Sequence, residues 1–225
     1  MLAFIVIAVA AYLLGSIPTG YLVARAKGID IRAVGSGNIG ATNVFRALGK
    51  TAGTFVLLID ALKGWLACVL GAFIAAHFSS RYYDMRSDPD IVAQFTDGLK
   101  QFAIVAGICA VLGHNYTCWL KFKGGKGIAT SAGVYFALAP LAAGIALGAW
   151  MVVFALSRYV SVASIAAAVA LPTAVWLTKD NLLLGIVTTA LGLLAIFKHK
   201  GNIQRLLNGT EQRFGRKPAI PEATK

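Results

Sequence analysis

The sequence predicts an all-α, polytopic membrane protein of seven transmembrane helices, with its N-terminus outside and its C-terminus in the cytoplasm. Three observations favour this fold class: 58% of the 225 residues are hydrophobic, only 13% are charged, and the apolar residues form long runs almost free of charge. About 20 apolar residues in a helix match the hydrocarbon core of a bilayer, roughly 30 Å thick. Open strands are excluded because lipid would leave their backbone groups without hydrogen bonds.

The composition excludes several other classes of protein. The chain carries 21 Lys and Arg residues against 9 Asp and Glu, a formal net charge of +12. A disordered basic tail would be poor in apolar residues. A soluble nucleic-acid-binding domain would carry far more Lys and Arg on a hydrated surface, so no nucleic-acid partner is expected. Three cysteines, an odd number, do not suit a disulfide-stapled secreted domain.

The apolar runs can be followed in order along the chain. The first, residues 1–24, has no charge, and the first basic residue, Arg25, follows it, whereas a signal peptide carries its positive charge before the apolar stretch. Because Lys and Arg stay on the cytoplasmic side, this order places the N-terminus outside. The later runs are residues 51–78, interrupted by Asp60 and Lys63, and residues 101–117, 128–156, 160–178 and 182–197.

The charge of the connecting segments predicts the topology. Segments 25–50 and 118–127 and the tail from residue 198 are rich in Lys and Arg, so we place them inside. The loop 79–100 contains four aspartates, and we place it outside. No linker is visible, so the chain is expected to form one integral-membrane domain.

The long run 128–156 decides the number of spans. Two inside loops and an inside tail require an even number of crossings after the segment 118–127, yet only three apolar runs remain. A single helix over this run would be about 43 Å long, too long without strong tilt. We therefore predict two spans with a turn near residues 140–144. The single domain then covers residues 1–225 and ends in a polar cytoplasmic tail, residues 208–225.

The first loop, residues 35–46, combines glycines with neutral hydrogen-bond donors and one arginine. Glycine lets backbone N–H groups turn toward an anion, and Ser, Thr and Asn side chains add further donors. The loop leads into the second span, and a helix N-terminus is itself an anion site. The alternative is a tight loop that only caps that helix, since glycine loops alone are weak signals.

The second loop, residues 121–127, reads Lys-Phe-Lys-Gly-Gly-Lys-Gly. It lacks the frame of a nucleotide-binding P-loop, because Gly127 rather than Ser or Thr follows Lys126. An anchor for lipid headgroups would explain Lys121 and Lys123. Such an anchor does not explain why Lys126 is framed by glycines.

The third loop, residues 198–206, spaces His199, Asn202 and Arg205 three residues apart, so that on a helix they would share a face. A lone histidine is most often structural, but one beside Asn, Arg and Lys suits phosphate binding or proton transfer. Together the three loops offer cations and neutral donors on one membrane face. This pattern predicts a ligand with two or more negative charges, most simply phosphates. The apolar spans next to the loops would accommodate a lipid tail.

Six motifs, spread from the first span to the tail, carry a resemblance to a known family. The sequence resembles the bacterial acyl-phosphate:glycerol-3-phosphate acyltransferases, the PlsY family, over nearly its whole length. The motifs are Gly15-Ser16-Ile17-Pro18, residues 35–44 with Arg46, Asp60 with Lys63-Gly64, Gly113-His114-Asn115, residues 121–127, and residues 199–203 with Arg205.

The resemblance implies a seven-helix enzyme of the bacterial inner membrane with a cytoplasmic active site. Such an enzyme moves a fatty acyl group from acyl phosphate to the 1-hydroxyl of glycerol 3-phosphate, giving lysophosphatidic acid and phosphate for phospholipid synthesis. It needs no metal and no cofactor, works in contact with membrane lipid, and has no obligate protein partner. The residues that the resemblance marks as catalytic are Ser36, Arg46, Lys126, His199 and Asn202. Those implied at the phosphate sites are Gly37, Asn38, Gly40, Thr42, Asn43, Gly124, Gly125, Gly127 and Arg205.

The chemistry of a mixed anhydride requires placement and charge neutralisation rather than an acyl-enzyme. Either His199 or a substrate phosphate could accept the hydroxyl proton, and we favour the phosphate, with His199 and Asn202 orienting the hydroxyl. No His–Asp partner lies beside Ser36 in the sequence, so we expect it to hydrogen bond to phosphate. Asp60 and Lys63 are expected to form a structural ion pair that faces the bundle, with direct catalysis as the alternative.

Two rival functions remain open from the sequence. A transporter for an anionic solute would explain the spans and the cationic loops, but transporters tend to contain repeats and a site near the bilayer midplane. A membrane anchor that recruits anionic lipid or an acidic partner would need the charge, but not the pattern of glycine and asparagine.

Overall fold

The computed structural model describes residues 2–78, 89–179 and 181–215, and within them every regular element is helical. This confirms the all-α prediction. Short 3-10 turns lie at Ile31–Ala33 and Cys118–Leu120. The α-helices are α1 (Leu2–Ser16), α2 (Thr19–Arg25), α3 (Ala41–Leu48), α4 (Lys50–Phe78), α5 (Pro89–Asn115), α6 (Ile128–Leu138), α7 (Pro140–Ser157), α8 (Val160–Thr178), α9 (Leu182–Lys198) and α10 (Lys200–Leu207).

Five helical segments in the described part of the chain are long and apolar enough to cross a membrane: Leu2–Arg25, Lys50–Phe78, Asp90–Leu120, Pro140–Ser157 and Val160–Thr178. Helices α9 and α10 form a sixth candidate that is bent by 50°. Helix α6 is apolar but only 11 residues long. The chain is therefore a multi-pass membrane protein, while the count of seven spans and the orientation of its termini stay predictions.

The predicted division of the run 128–156 into two helices is confirmed. The break falls at Ala139, whose φ of −149° and ψ of 69° are not helical. Pro140 follows at the first position of α7, where its missing N–H costs no hydrogen bond. The turn therefore lies immediately before the expected residues 140–144.

The predicted outside loop 79–100 differs from the structure over its second half. Helix α5 begins at Pro89, so residues 89–100 continue the helix of the apolar run, and residues 79–88 lie outside the described residues. Proline suits the start of a helix, and Asp97 pairs with Lys100 one turn later at 2.9 Å. Polarity alone had suggested a loop, whereas local helix signals extend α5.

Helices α4 and α6 pack with their backbones in contact. A Cβ atom on Gly64 would overlap the carbonyl oxygen of Thr130, and one on Gly133 would overlap that of Ala61. Only glycine permits this close approach. Because α6 begins immediately after the second loop, the contact holds that loop against α4.

The ion pair predicted for Asp60 and Lys63 is confirmed, with 2.7 Å between the ammonium and the carboxylate and both side chains buried. It lies beside the break between α1 and α2 at Pro18. Lys63 donates to the carbonyl of Ile17 (2.8 Å), and the Thr19 hydroxyl donates to Asp60 (3.0 Å). A helix break in a membrane leaves polar backbone groups that need partners inside the protein, and Lys63 supplies one here, which favours the structural interpretation of the pair.

Candidate active site

The three loops meet around one cavity of about 310 Å³, which we call the main cavity. The first loop reaches it just before and within α3, the second just before α6, and the third at the junction of α9 and α10. All five residues predicted to be catalytic line this cavity: Ser36, Arg46, Lys126, His199 and Asn202.

A buried amide shapes the first loop. The Asn43 side chain is 2% exposed, and its Nδ2 atom donates to the carbonyls of Val34 (2.9 Å) and Asn38 (2.9 Å). Its Oδ1 atom accepts the N–H of Ser36 at 3.0 Å. Gly35, with a φ of +61°, turns the chain into this arrangement, because a side chain there would be strained and would meet the Asn43 amide. Asn43 therefore positions Ser36, a role beyond lining a phosphate site.

The first turn of α3 supplies free backbone donors at the cavity. Ala41 and Thr42 open this helix and line the main cavity, and their N–H groups have no acceptor within the helix. The N–H of Gly40 is bonded to the Asn38 side chain (2.8 Å), and that of Gly37 to the Val34 carbonyl (3.1 Å). The N-terminus of α3, rather than Gly37 or Gly40, thus presents unbonded N–H groups of the kind that bind anions.

Gly124 and Gly125, which the resemblance implies at a phosphate site, do not line the main cavity. Their N–H groups donate to the carbonyls of Asn115 (3.2 Å) and His114 (3.0 Å), the last residues of α5. A Cβ on Gly124 would overlap the backbone of both residues, and one on Gly125 would overlap the ring of His114. The glycines instead let the second loop lie flat on the end of α5, which leaves Lys126 and Gly127 at the cavity.

A continuous chain of polar contacts links the second and third loops. The Lys126 ammonium donates to the Asn202 side-chain oxygen, and the Asn202 amide donates to Glu211 at 2.7 Å. Glu211 also accepts hydrogen bonds from Ser161 (2.8 Å) and Arg205 (2.7 Å). Burial acts to raise the pKa of Glu211, but these three hydrogen bonds outweigh it, so the pKa lies below its usual value and the carboxylate is ionised.

Glu211 was missed by sequence reasoning as a site residue, and so was Ser161. Both are buried and line the main cavity. A faint signal existed, since Glu211 is one of only two acidic residues in a basic tail. The tail was predicted to be merely polar, yet its described part folds back over the site: Phe214 packs edge-on against Phe45 and Phe154.

The cationic side chains around the cavity have lowered pKa values, because they are buried and lie close to each other. Burial lowers the pKa of Lys126 to about 8; the Glu211 carboxylate opposes this shift, and the charges of Arg205 and Arg46 add to it. Desolvation likewise lowers the pKa of Arg46. Cations held together in this way favour an anion between them, because a bound anion relieves their repulsion.

His199 is buried and neutral. Its Nδ1 atom lies 2.7 Å from the carbonyl oxygen of Ala195, which can only accept, so Nδ1 carries the proton and Nε2 carries the lone pair. Burial and then the charge of Lys126 lower the pKa of His199 to about 4, although the contact with Ala195 acts against this. Near pH 7 the ring can therefore accept a hydrogen bond at Nε2.

Arg205 stands apart from the main cavity. It lines a second cavity of about 230 Å³ together with Thr210 and Gln212. Ser36, Arg46 and Glu211 line both cavities, so these three side chains form the wall between them. The Arg46 guanidinium is held there by the carbonyl of Gln212 at 3.2 Å.

Beyond its polar end, the main cavity continues as an apolar space between α6, α7, α8 and α9, with Leu57 of α4 also on its wall. Its walls are mostly alanine, leucine and aromatic side chains. Trp150 lies on this wall, and its indole N–H donates to Ser164 at 3.3 Å. A cationic end joined to an apolar interior suits an amphiphile with a phosphate head and a hydrocarbon tail.

The chain has relatives along its whole length. Residues 5–209 match the family described as glycerol-3-phosphate acyltransferase. A glycerol-3-phosphate acyltransferase of Geotalea daltonii is 44% identical over 216 residues, which cover 96% of this chain and 100% of the relative. One of Geobacter sulfurreducens is 42% identical over 214 residues, covering 95% of this chain and 99% of the relative.

Two solved structures are similar to the fold described above. Both are crystal structures of PlsY (YgiH), an integral membrane glycerol 3-phosphate acyltransferase. The glycerol 3-phosphate form has a TM-score of 0.79 and 38% sequence identity, covering 94% of this chain and 96% of that protein. The lysophosphatidic acid form has a TM-score of 0.76 and 37% identity, covering 94% and 95%.

Proposed function

The chain belongs to the glycerol-3-phosphate acyltransferase family, and on that premise we propose that it transfers a fatty acyl group from an acyl phosphate to the 1-hydroxyl of glycerol 3-phosphate. The hydroxyl oxygen bonds to the acyl carbon, the carbon–oxygen bond to phosphate breaks, and the hydroxyl proton leaves with phosphate. The products are lysophosphatidic acid and inorganic phosphate. We place the reaction on the cytoplasmic side of the bacterial inner membrane, as a step of phospholipid synthesis.

One observation carries this proposal: the cationic end of the main cavity opens directly into an apolar interior. Acyl phosphate needs both environments at once, phosphate among donors and the tail in a nonpolar space. Bringing two phosphates together gathers roughly four negative charges, about −2 for each. Arg46, Lys126 and the first turn of α3 are the groups that offset this repulsion.

The proton is better accepted by a substrate phosphate than by His199. A general base works best when its pKa is near the working pH. In the free protein the pKa of His199 is about 4, whereas the second pKa of a phosphomonoester is about 6. We therefore assign His199 the task of orienting the hydroxyl through Nε2.

The geometry favours a binding role for Ser36. Its backbone N–H is tied to Asn43, and its hydroxyl has no histidine or carboxylate partner among the described residues. A serine nucleophile needs an adjacent base to take its proton. Ser36 thus acts as a hydrogen-bond donor to phosphate at the wall between the two cavities.

Purified protein in detergent tests the function. Palmitoyl phosphate and glycerol 3-phosphate are supplied, and phosphate release and lysophosphatidic acid are measured. Lys126→Gln should abolish turnover, while Lys123→Gln, an exposed lysine of the same loop, should leave it unchanged. No release that depends on glycerol 3-phosphate, together with solute uptake by proteoliposomes, would favour the transporter.

Two further outcomes test the mechanism. His199→Ala should lower turnover while glycerol 3-phosphate still protects the protein against thermal unfolding. Complete loss of turnover with substrate binding intact counts against phosphate as the base. Trapping an acyl group on Ser36, detected by mass spectrometry of the intact protein, would replace the direct transfer with an acyl-enzyme.

A further inference from the structure

The apolar part of the main cavity has a closed end. On each of its four helices, one lining residue lies furthest from the phosphate site: Phe136 on α6, Ala143 on α7, Leu171 on α8 and Thr188 on α9. Beyond them the core is tightly buried, with Ala139 and Val175 inaccessible to solvent. The cavity therefore does not run through the bundle.

The length of the cavity matches one leaflet of a bilayer. Thr188 lies eleven residues before His199 along α9, which corresponds to about 16 Å at the rise of a helix. The hydrocarbon core of a membrane is roughly 30 Å thick, so one leaflet accounts for about half of this. A tail of the length found in membrane lipids would therefore fill the cavity from the reacting carbon to its closed end.

The closed end of the cavity, which we call its floor, is formed by Tyr135, Ala143 and Thr188 and contains a polar atom without a well-placed partner. The Tyr135 side chain is 1% exposed and lines the cavity, and its hydroxyl lies beside that of Thr188 but has no hydrogen-bond partner of good geometry among the described residues. The Thr188 hydroxyl lines the same end and donates to the carbonyl of Leu184 at 2.6 Å. Phenylalanine would fill the same volume without the cost of an unsatisfied hydroxyl. Packing alone therefore does not explain why a tyrosine, rather than a phenylalanine, lies at this end of the cavity.

We propose that Tyr135, with Ala143 and Thr188, closes the acyl cavity and sets the longest acyl chain that the protein accepts in full. This inference rests on the proposed function. A chain that stops short of the floor leaves the Tyr135 hydroxyl open to water. A longer chain excludes that water and leaves the hydroxyl without a partner, or has to bend out of the cavity. Either course disfavours the longer substrate.

Two substitutions move the floor in opposite directions. Tyr135→Phe removes an atom that has no well-placed hydrogen-bond partner, so folding is preserved and longer chains become acceptable. Ala143→Leu adds a branched side chain to the floor and shortens the space. Gly144→Leu is the matched control, since it adds the same side chain next along α7, where a Cβ meets no atom within 4 Å.

Saturated acyl phosphates from decanoyl to stearoyl phosphate are compared by kcat/KM in all four proteins. We expect the stearoyl-to-lauroyl ratio to rise about tenfold in Tyr135→Phe and to fall about tenfold in Ala143→Leu, relative to wild type. The ratio should not change in Gly144→Leu. An unchanged ratio in both floor variants, or an equal change in the control, would overturn the proposal.

A binding measurement separates this inference from the proposed function. Lysophosphatidic acids of the same chain lengths, brominated near the methyl end, are titrated while tryptophan fluorescence is recorded, with Trp150 on the cavity wall as the reporter. Quenching that shifts with chain length in the floor variants supports the closed cavity even if no acyl transfer is found. If every variant transfers acyl groups normally and with the same preference for chain length, the proposed function stands and the role of Tyr135, Ala143 and Thr188 in limiting chain length is rejected.

Discussion

The Glu211 carboxylate accepts a hydrogen bond from the Asn202 amide at 2.7 Å, and Asn202 in turn accepts one from Lys126. Glu211, which lies in the part of the tail that folds back over the site, thereby orients the Asn202 side chain. Asn202 in turn holds the Lys126 ammonium at the cavity. Arg205 bonds to the other carboxylate oxygen. The charges of the site are thus arranged by a residue that need not touch the substrate.

Glu211→Gln should therefore lower kcat/KM about tenfold or more while the fold is kept. The substitution preserves shape but removes the charge that Arg205 and Lys126 face, and hydrogen bonds to charged groups are worth about 1.5–3 kcal/mol. Steady-state kinetics with glycerol 3-phosphate varied is the measurement. Asp97→Asn removes a charge from the exposed pair with Lys100 and is the control. Equal kcat/KM in wild type and Glu211→Gln would contradict this role.

Asn43→Ala should destabilise the first loop. The change removes the partner of three backbone carbonyls and of the Ser36 N–H. Leaving buried polar groups unpaired costs about 1–3 kcal/mol, so the midpoint of thermal unfolding should fall by several degrees. Asn208→Ala, at an exposed asparagine after α10, should leave the midpoint unchanged. An Asn43→Ala variant that unfolds at the same temperature as wild type would contradict this role of Asn43.

The pH dependence of substrate binding should follow Lys126. Its pKa in the free protein is about 8, and an anion binds the protonated form more tightly. Binding is therefore strong below pH 8 and weakens as the pH rises through this value, by about tenfold for each further unit. KM for glycerol 3-phosphate, measured from pH 6 to 9.5, should show this rise.

Lys126→Arg gives the control for this pH profile, because a guanidinium keeps its charge throughout the range. Its KM should be flat above pH 8 even if its turnover is lower. The same upward slope in Lys126→Arg would assign the titration to another group, such as a second ionisation of the substrate.

The buried pair between α1 and α4 should show strong coupling. Asp60→Asn leaves the buried Lys63 without a counter-ion and should cost about 3–5 kcal/mol. Lys63→Met should cost less, because Asp60 keeps its contacts with Thr19 (3.0 Å) and His114 (3.7 Å). The double variant should cost less than the two single changes added together, because no lone charge remains buried. Unfolding of the four proteins in mild detergent measures the coupling, and simple additivity would argue against a structural pair.

Much of this protein could be predicted from the order of its residues. Lipid forces backbone groups to bond within a helix, so hydropathy places the apolar helices, and the division of residues 128–156 follows from length and charge. The resemblance in six short motifs is confirmed by relatives that match nearly the whole chain. Residue type also indicated which side chains could hold phosphate, because only a few polar residues lie at one face.

Which polar groups remain free is a matter of three-dimensional contacts. The N–H groups of Gly124 and Gly125 are taken by the end of α5, whereas those of Ala41 and Thr42 are left open at the cavity. Glu211 lies far from Lys126 in sequence and meets it only when the tail folds back. Hydropathy and local motifs report the structural tendency of a segment. They do not show which N–H groups are already bonded within the protein, because that depends on which distant segment packs within about 3 Å.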